Sequence, residues 1–182
     1  LTTDDPGIAL ERAMQCEQVN TKRQELCAQI EQEAIAYLET GEIDWLRDRV
    51  MVIVQPNWHH GVIGIVASRL VDRFGVPVFI GTYEDEEQTQ IRGSARGIPE
   101  FHVFDALAYC QDLLEKFGGH KAAGGFSLAT QNLAVFRKRL SEFSHQCLKP
   151  EYLKPLVKID ATATFTELTP DFYQQVDSLQ PW

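Results

Sequence analysis

Ser94, Arg96 and His120 are the side chains of this chain best suited to hold an anion, and each lies beside glycines. Two clusters, Gly93-Ser94-Ala95-Arg96-Gly97 and Gly118-Gly119-His120-Lys121-Ala122-Ala123-Gly124-Gly125, hold six of the twelve glycines. Glycine lets backbone N–H groups approach a ligand closely. Arg96 can pair bidentately with phosphate oxygens, Ser94 can donate its hydroxyl, and His120 keeps a ring N–H in either protonation state. Together with the Gly118 and Gly119 backbone they would form a phosphate-binding surface. Arg92 precedes Arg96 by four residues and shares its face only if the strand between them is regular. For either cluster taken alone, a tight turn at the end of a helix or strand is the competing explanation.

A second candidate is Trp58-His59-His60-Gly61, between a buried strand and the start of a buried helix. Ligands of open α/β sheets bind at such places, and a helix N-terminus favours an anion. Trp58 could stack on a base there, with His59 beside it; packing as a lid on the core is the alternative. A metal role for His59-His60 is disfavoured, because adjacent residues point apart and no carboxylate neighbours them. The polar loops offer neither a strong nucleophile nor a carboxylate cluster. The chain therefore reads as one that binds and positions, without performing the bond-breaking step.

The elements that must carry these residues follow from periodicity. Thr2-Thr3-Asp4-Asp5-Pro6 is a helix start, and no Gly or Pro interrupts Ile8 to Leu38. The sparse apolar stripe there suits one long helix, or a pair broken near Val19-Asn20, serving as a connector or as a solvated surface helix. Val50–Gln55 and Val76–Ile80 read as strands around a helix over Val62–Phe74, a βαβ unit that favours a parallel pair. Thr89–Ala95 is a third strand. His102–Phe117 reads as an amphipathic helix capped by Gly118-Gly119, Ala122–Leu128 as a fourth strand, and Gln131–Leu148 as a helix. In the tail, Leu156–Thr166 alternates like a strand and Asp171–Leu179 suits a short helix.

A chain of 182 residues with 44% hydrophobic and 24% charged content is that of a globular protein of one or two domains. No run approaches a membrane span, and no signal peptide opens the chain. Cys16, Cys27, Cys110 and Cys147 lack metal-ligand spacing and point to a reducing, cytoplasmic setting. The net charge of −9 argues against a broad basic face for nucleic acid. Its distribution leaves room for a local cationic site: residues 1–48 carry a surplus of seven negative charges, Glu84–Glu87 add four, and the remainder is slightly positive. The first residue is Leu1 and the last are Gln180-Pro181-Trp182, so a piece of a longer protein is expected.

The run Trp58-His59-His60-Gly61-Val62-Ile63-Gly64-Ile65-Val66-Ala67-Ser68-Arg69 resembles the Trp-His-x-Gly-Val-Ile-Gly-Ile-Val-Ala-Ser-Arg segment of the RecJ family of single-strand-specific 5′→3′ DNA exonucleases. Gly93-Ser94-Ala95-Arg96 is similar to its Gly-Ser-x-Arg segment, and Gly118-Gly119-His120 with Ala122-Ala123-Gly124 to its Gly-Gly-His motif. Asn20-Thr21-Lys22-Arg23-Gln24 is similar to the family's connector helix. Gly97 stands where Ser is common in the family, and His60 where Pro is frequent.

The resemblance implies an α/β fold, a DHHA1-like mixed β-sheet with flanking helices over 49–148. Before it, 1–48 would end a catalytic domain and form a connector helix. After it, 155–182 would begin an OB-fold-like domain. It implies an Asp-His-His catalytic domain preceding this stretch, with Mn2+ or Mg2+ there and none here, and single-stranded DNA as partner. Ser94, Arg96, Gly118, Gly119 and His120 would hold substrate phosphates beside those metals, with Trp58, His59 and Arg92 as further nucleic-acid contacts. A DHH-superfamily oligoribonuclease or nucleotide phosphatase, or a stand-alone nucleic-acid-binding module like the appended domain of alanyl-tRNA synthetases, are the alternatives.

Overall fold

The computed structural model describes residues 2–157, 159 and 161–179. One unbroken helix, α1 (Pro6–Glu39), opens the chain. The Asp5 carboxylate accepts from the N–H groups of Gly7 and Ile8, and Pro6 occupies a first-turn position where no N–H is needed. Of its residues only Cys27, Ile30, Ala34 and Leu38 are buried, at the spacing of one helix face. Only the C-terminal half of α1 thus docks, while Leu10, Met14 and Val19 remain exposed.

A short helix α2 (Trp45–Asp48) leads into β1 (Met51–Val54), α3 (His60–Phe74) and β2 (Val78–Tyr83). β1 and β2 pair in parallel across the α3 crossover, as the βαβ pattern predicts. β3 (Gln90–Arg96) returns antiparallel to β2, and β5 (Ala123–Ala129) and β4 (Leu114–Gly119) complete the sheet in the order β1-β2-β3-β5-β4. Between β3 and the last strands lies α4 (Val103–Tyr109); α5 (Leu133–Cys147) follows β5 (Ala123–Ala129).

Alternating residues feed two cores. Met51, Ile53, Val78 and Ile80 pack beneath α3 and the docked half of α1. Val52, Phe79, Ile91, Phe126 and Leu128 pack against α4 and α5. There Phe79, Phe101, Phe126 and Phe136 meet with ring centroids 5.2–6.2 Å apart.

The stretch 102–117 is not one helix. α4 stops at Tyr109, a 3-10 turn spans Gln111–Leu113, and β4 (Leu114–Gly119) pairs antiparallel with β5. Phe117 packs on Phe104 of α4, with centroids 5.8 Å apart, while Lys116 and Gly118 point to the other face. Ladder bonds with β5 override a local pattern that short apolar runs leave ambiguous between helix and strand. Gly118-Gly119 consequently ends a strand and is not a helix cap. Gly119 has φ 149°, and an added Cβ would sit 2.4 Å from the Ala123 carbonyl oxygen, so the turn requires glycine.

After α5 the backbone at Lys154-Pro155 crosses directly over Gly75, the left-handed C-cap of α3. In 156–166 the described residues form no strand. Their apolar side chains Val157, Ile159 and Phe165 stand exposed, and no strand among the described residues pairs with them. Lys158 and Asp160 of that alternation lie outside the described residues. The short helix expected near the end is α6 (Pro170–Asp177), capped by Thr169.

Candidate functional site

On the α3 side of the sheet, α3 lies over β2 and β3. Beyond it, β5 and β4 present an open face bordered by β3. Strand register sets its rows. Arg92 pairs with Ser127, and Ser127 with Lys116; Ser94 pairs with Gly125, and Gly125 with Gly118; Arg96 pairs with Ala123. β3 is regular, so Arg92, Ser94 and Arg96 do share one face. A trough of about 480 Å³ runs over Arg92, Ser127 and Lys116 and on to Ser94 and Gly125, with His60 of α3 at its wall and Glu84 and Glu115 among its lining.

Glycine has different reasons on the two faces. An added Cβ at Gly93 would strike the Phe126 ring at 2.2 Å, so that glycine serves the core. At Gly118 nothing lies within 4 Å, and at Gly125 the nearest atom is 3.8 Å away. Packing among the described residues does not require either glycine. Strand glycines of this kind mark places where a ligand or another backbone comes close.

Gly64 is the opposite case. Its added Cβ would lie 3.0 Å from Arg96 Nη2 and 3.4 Å from Ser94 Oγ. Glycine inside a helix costs about 1 kcal/mol relative to alanine; here it leaves a slot for a guanidinium. Arg96 is half-buried, and burial pulls its pKa below the ordinary arginine value. Its side chain donates from Nη1 to the Ala95 carbonyl at 2.8 Å, and no carboxylate among the described residues pairs with it. The Ser94 hydroxyl beside it has no hydrogen-bond partner among them either. A cation taken out of water without a counter-charge is destabilising unless an anion supplies one.

His120 occupies the turn between β4 and β5, exposed, its N–H donating to the Ala123 carbonyl at 2.8 Å. It stands two strands from Arg96, about 10 Å across the sheet. The two glycine clusters are therefore brought together by antiparallel pairing of β3, β5 and β4.

Trp58 is 5% exposed and packs in the core between α1 and α3, its indole N–H donating to Glu33 Oε2 at 2.7 Å. It has no free face for a base, so the stacking expectation gives way to an anchor that ties α1 to the loop before α3. His59 caps α3, its Nδ1 accepting from the Gly61 N–H at 3.1 Å, and its ring stacks on His60 with centroids 5.3 Å apart. Among the described residues no three His, Cys, Asp or Glu side chains gather as a metal site.

Sequence reasoning missed Glu33, Lys116, Ser127 and the slot at Gly64. The Gly64 signal was readable as a glycine in an otherwise apolar helix. The others became visible only through pairing across the sheet or between helices.

Comparison with known proteins places this architecture. The DHHA1 domain family matches residues 47–146. The single-stranded-DNA-specific exonuclease RecJ of Bacillus subtilis (strain 168) is 34% identical over the whole chain, which covers 23% of that protein. RecJ from Thermus thermophilus, solved in complex with Mg2+, matches with a TM-score of 0.74 and 25% identity over 99% of this chain and 27% of its own. Its complex with Mn2+ matches with the same TM-score and 26% identity, over 99% of this chain and 25% of its own. The chain thus spans about a quarter of the length of these relatives.

Proposed function

The chain belongs to the DHHA1 domain family, and on that premise we propose that it is the substrate-holding part of a RecJ-like, single-stranded-DNA-specific 5′→3′ exonuclease. Its work is to fix phosphates of the strand on the open face of the sheet. Catalytic metal, Mn2+ or Mg2+, belongs in this reading to a preceding Asp-His-His domain, and an OB-fold-like domain begins in 155–182. The setting is cytoplasmic DNA repair and recombination.

Arg96 carries this reading. A half-buried guanidinium that no carboxylate among the described residues pairs with, beside a hydroxyl without a partner among them and a bare glycine floor, has the chemistry of an anion site. A phosphate entering there supplies the counter-charge and accepts from Arg96 and Ser94. The floor at Gly118 and Gly125 lets the sugar–phosphate backbone lie against the sheet without meeting a side chain. His120 adds a donor from the turn side. Fixed donors that need no rearrangement hold the substrate in register for attack and stabilise charge at the phosphate. No residue here acts as nucleophile or general base in this reading.

The test is fluorescence anisotropy of the chain with labelled single-stranded DNA, with and without a 5′-phosphate, at low salt. Binding is expected to be weak, with a Kd of about 10⁻⁴ M at physiological salt because no broad basic face contributes. It should depend on the 5′-phosphate and be lost in Arg96→Met and His120→Ala with the fold intact by circular dichroism. Binding indifferent to the 5′-phosphate and to both substitutions would refute the assignment.

A further inference from the structure

The open face continues past Ser94 and Arg96. The next row, two residues back along β3, consists of Arg92, Ser127 and Lys116, paired side by side on three adjacent strands. Two residues along a strand span about 6.8 Å, comparable with the separation of successive phosphates in an extended single strand. The row is built from two cations and a hydroxyl, and it lines the same trough. Lys116 and the Ser127 hydroxyl have no partner among the described residues. Arg92 is half-exposed and only loosely paired, with Glu84 3.6 Å away. His60, in the first turn of the 15-residue helix α3, forms the wall beside it, where the helix end carries partial positive charge.

From these observations, and resting on the reading of Ser94 and Arg96 as a phosphate site, we infer that Arg92, Lys116 and Ser127 form a second phosphate subsite, one nucleotide further along the bound strand. The ligand class is a phosphodiester of a single-stranded oligonucleotide, so the chain prefers a dinucleotide to a mononucleotide. Glu84 and Glu115 line the same end of the trough, and Glu115 is already held by Gln90 at 2.7 Å. Their charges confine the cationic row to a single phosphodiester. On binding, the phosphate replaces Glu84 as the partner of Arg92.

The experiment is a nuclear magnetic resonance titration of the 182-residue chain with thymidine 5′-monophosphate, d(pTpT) and d(pTpTpT). The mononucleotide should move the amides of Ser94, Gly118 and Gly125. The dinucleotide should also move Ser127 and Lys116 and bind about three- to tenfold more tightly at low salt. That gain should shrink about threefold between roughly 50 and 200 mM salt, as for one added phosphate contact. The double substitution Arg92→Gln with Lys116→Gln should abolish the gain and leave mononucleotide affinity unchanged. A gain that survives the double substitution overturns the second subsite, as does equal binding of mono- and dinucleotide; in both cases the first site stands. If the folded chain binds no thymidine 5′-monophosphate and Arg96→Met changes nothing, the first reading fails and the second falls with it.

Discussion

Alanine at Gly64 should stabilise the protein and weaken its hold on phosphate. The two effects come from the same methyl group. Gly64 lies in the second turn of α3, where replacing glycine by alanine is worth about 0.8–1.0 kcal/mol in backbone preference. Against this stands a contact of 3.0 Å between the new Cβ and Arg96 Nη2, with Ser94 Oγ at 3.4 Å. The nearest atom is the free end of a long side chain, so the guanidinium moves by a few tenths of an ångström and the backbone does not. That movement offsets only part of the gain, leaving about 0.5 kcal/mol and a Tm rise of about 1–2 °C for a chain of this size. The displaced guanidinium no longer meets phosphate in the geometry that two parallel N–H···O bonds require. Losing half of such a charge-assisted pair should weaken 5′-phosphate binding about three- to tenfold. Thermal unfolding measures the first effect and anisotropy with 5′-phosphorylated DNA the second. In Arg96→Met with Gly64→Ala the two losses of binding should not add, because both act on one guanidinium. A lower Tm with unchanged phosphate affinity would show that Gly64 serves helix–sheet packing and does not form a slot for Arg96.

Two further outcomes are expected. Glu33→Ala strands the indole N–H of Trp58 in the core and should cost about 1–3 kcal/mol in urea unfolding, with faster amide exchange across 26–39. Glu33→Gln keeps an acceptor and should lose less than half as much. Burial pushes the Cys110 thiol up to about 12 from an ordinary value of 9.0. Below about pH 9 both states keep the proton. Between about pH 9 and about 12 only the unfolded chain gives it up, so stability falls as pH rises, by at most about 1.4 kcal/mol per pH unit. Cys110→Ala should flatten that part of the stability–pH curve, and equal slopes in both proteins would contradict the burial.

Much of the site was legible because its signals are local. Ser94 and Arg96 sit on a strand whose alternation is plain, and β1, α3 and β2 announce themselves by a continuous apolar run, a helix and a second run. The residues before Gly118 were not legible as a strand. Leu114 and Phe117 satisfy a helical spacing as well as they satisfy a strand, and the choice was made by β5, which offers them a ladder. Trp58 was ambiguous for another reason. A tryptophan in a loop can face a ligand or a core, and Glu33, twenty-five positions earlier, supplied the acceptor that decides for the core.

The sequence by itself determined which residues have the chemistry to hold phosphate, the parallel β1–α3–β2 unit, and the long polar-faced helix before it. These depend on side-chain type and on periods of two or about 3.6 residues, which any short window contains. Only the tertiary structure decided that Arg96 lies half-buried with no carboxylate among the described residues beside it, that Gly64 makes room for it, and that Gly125 and Gly118 lie bare in the row of Ser94. Those facts rest on pairing between strands far apart in the chain, and on what each helix covers and leaves open. A burial or an unpaired charge is a property of the whole surrounding shell, which no local stretch of sequence contains.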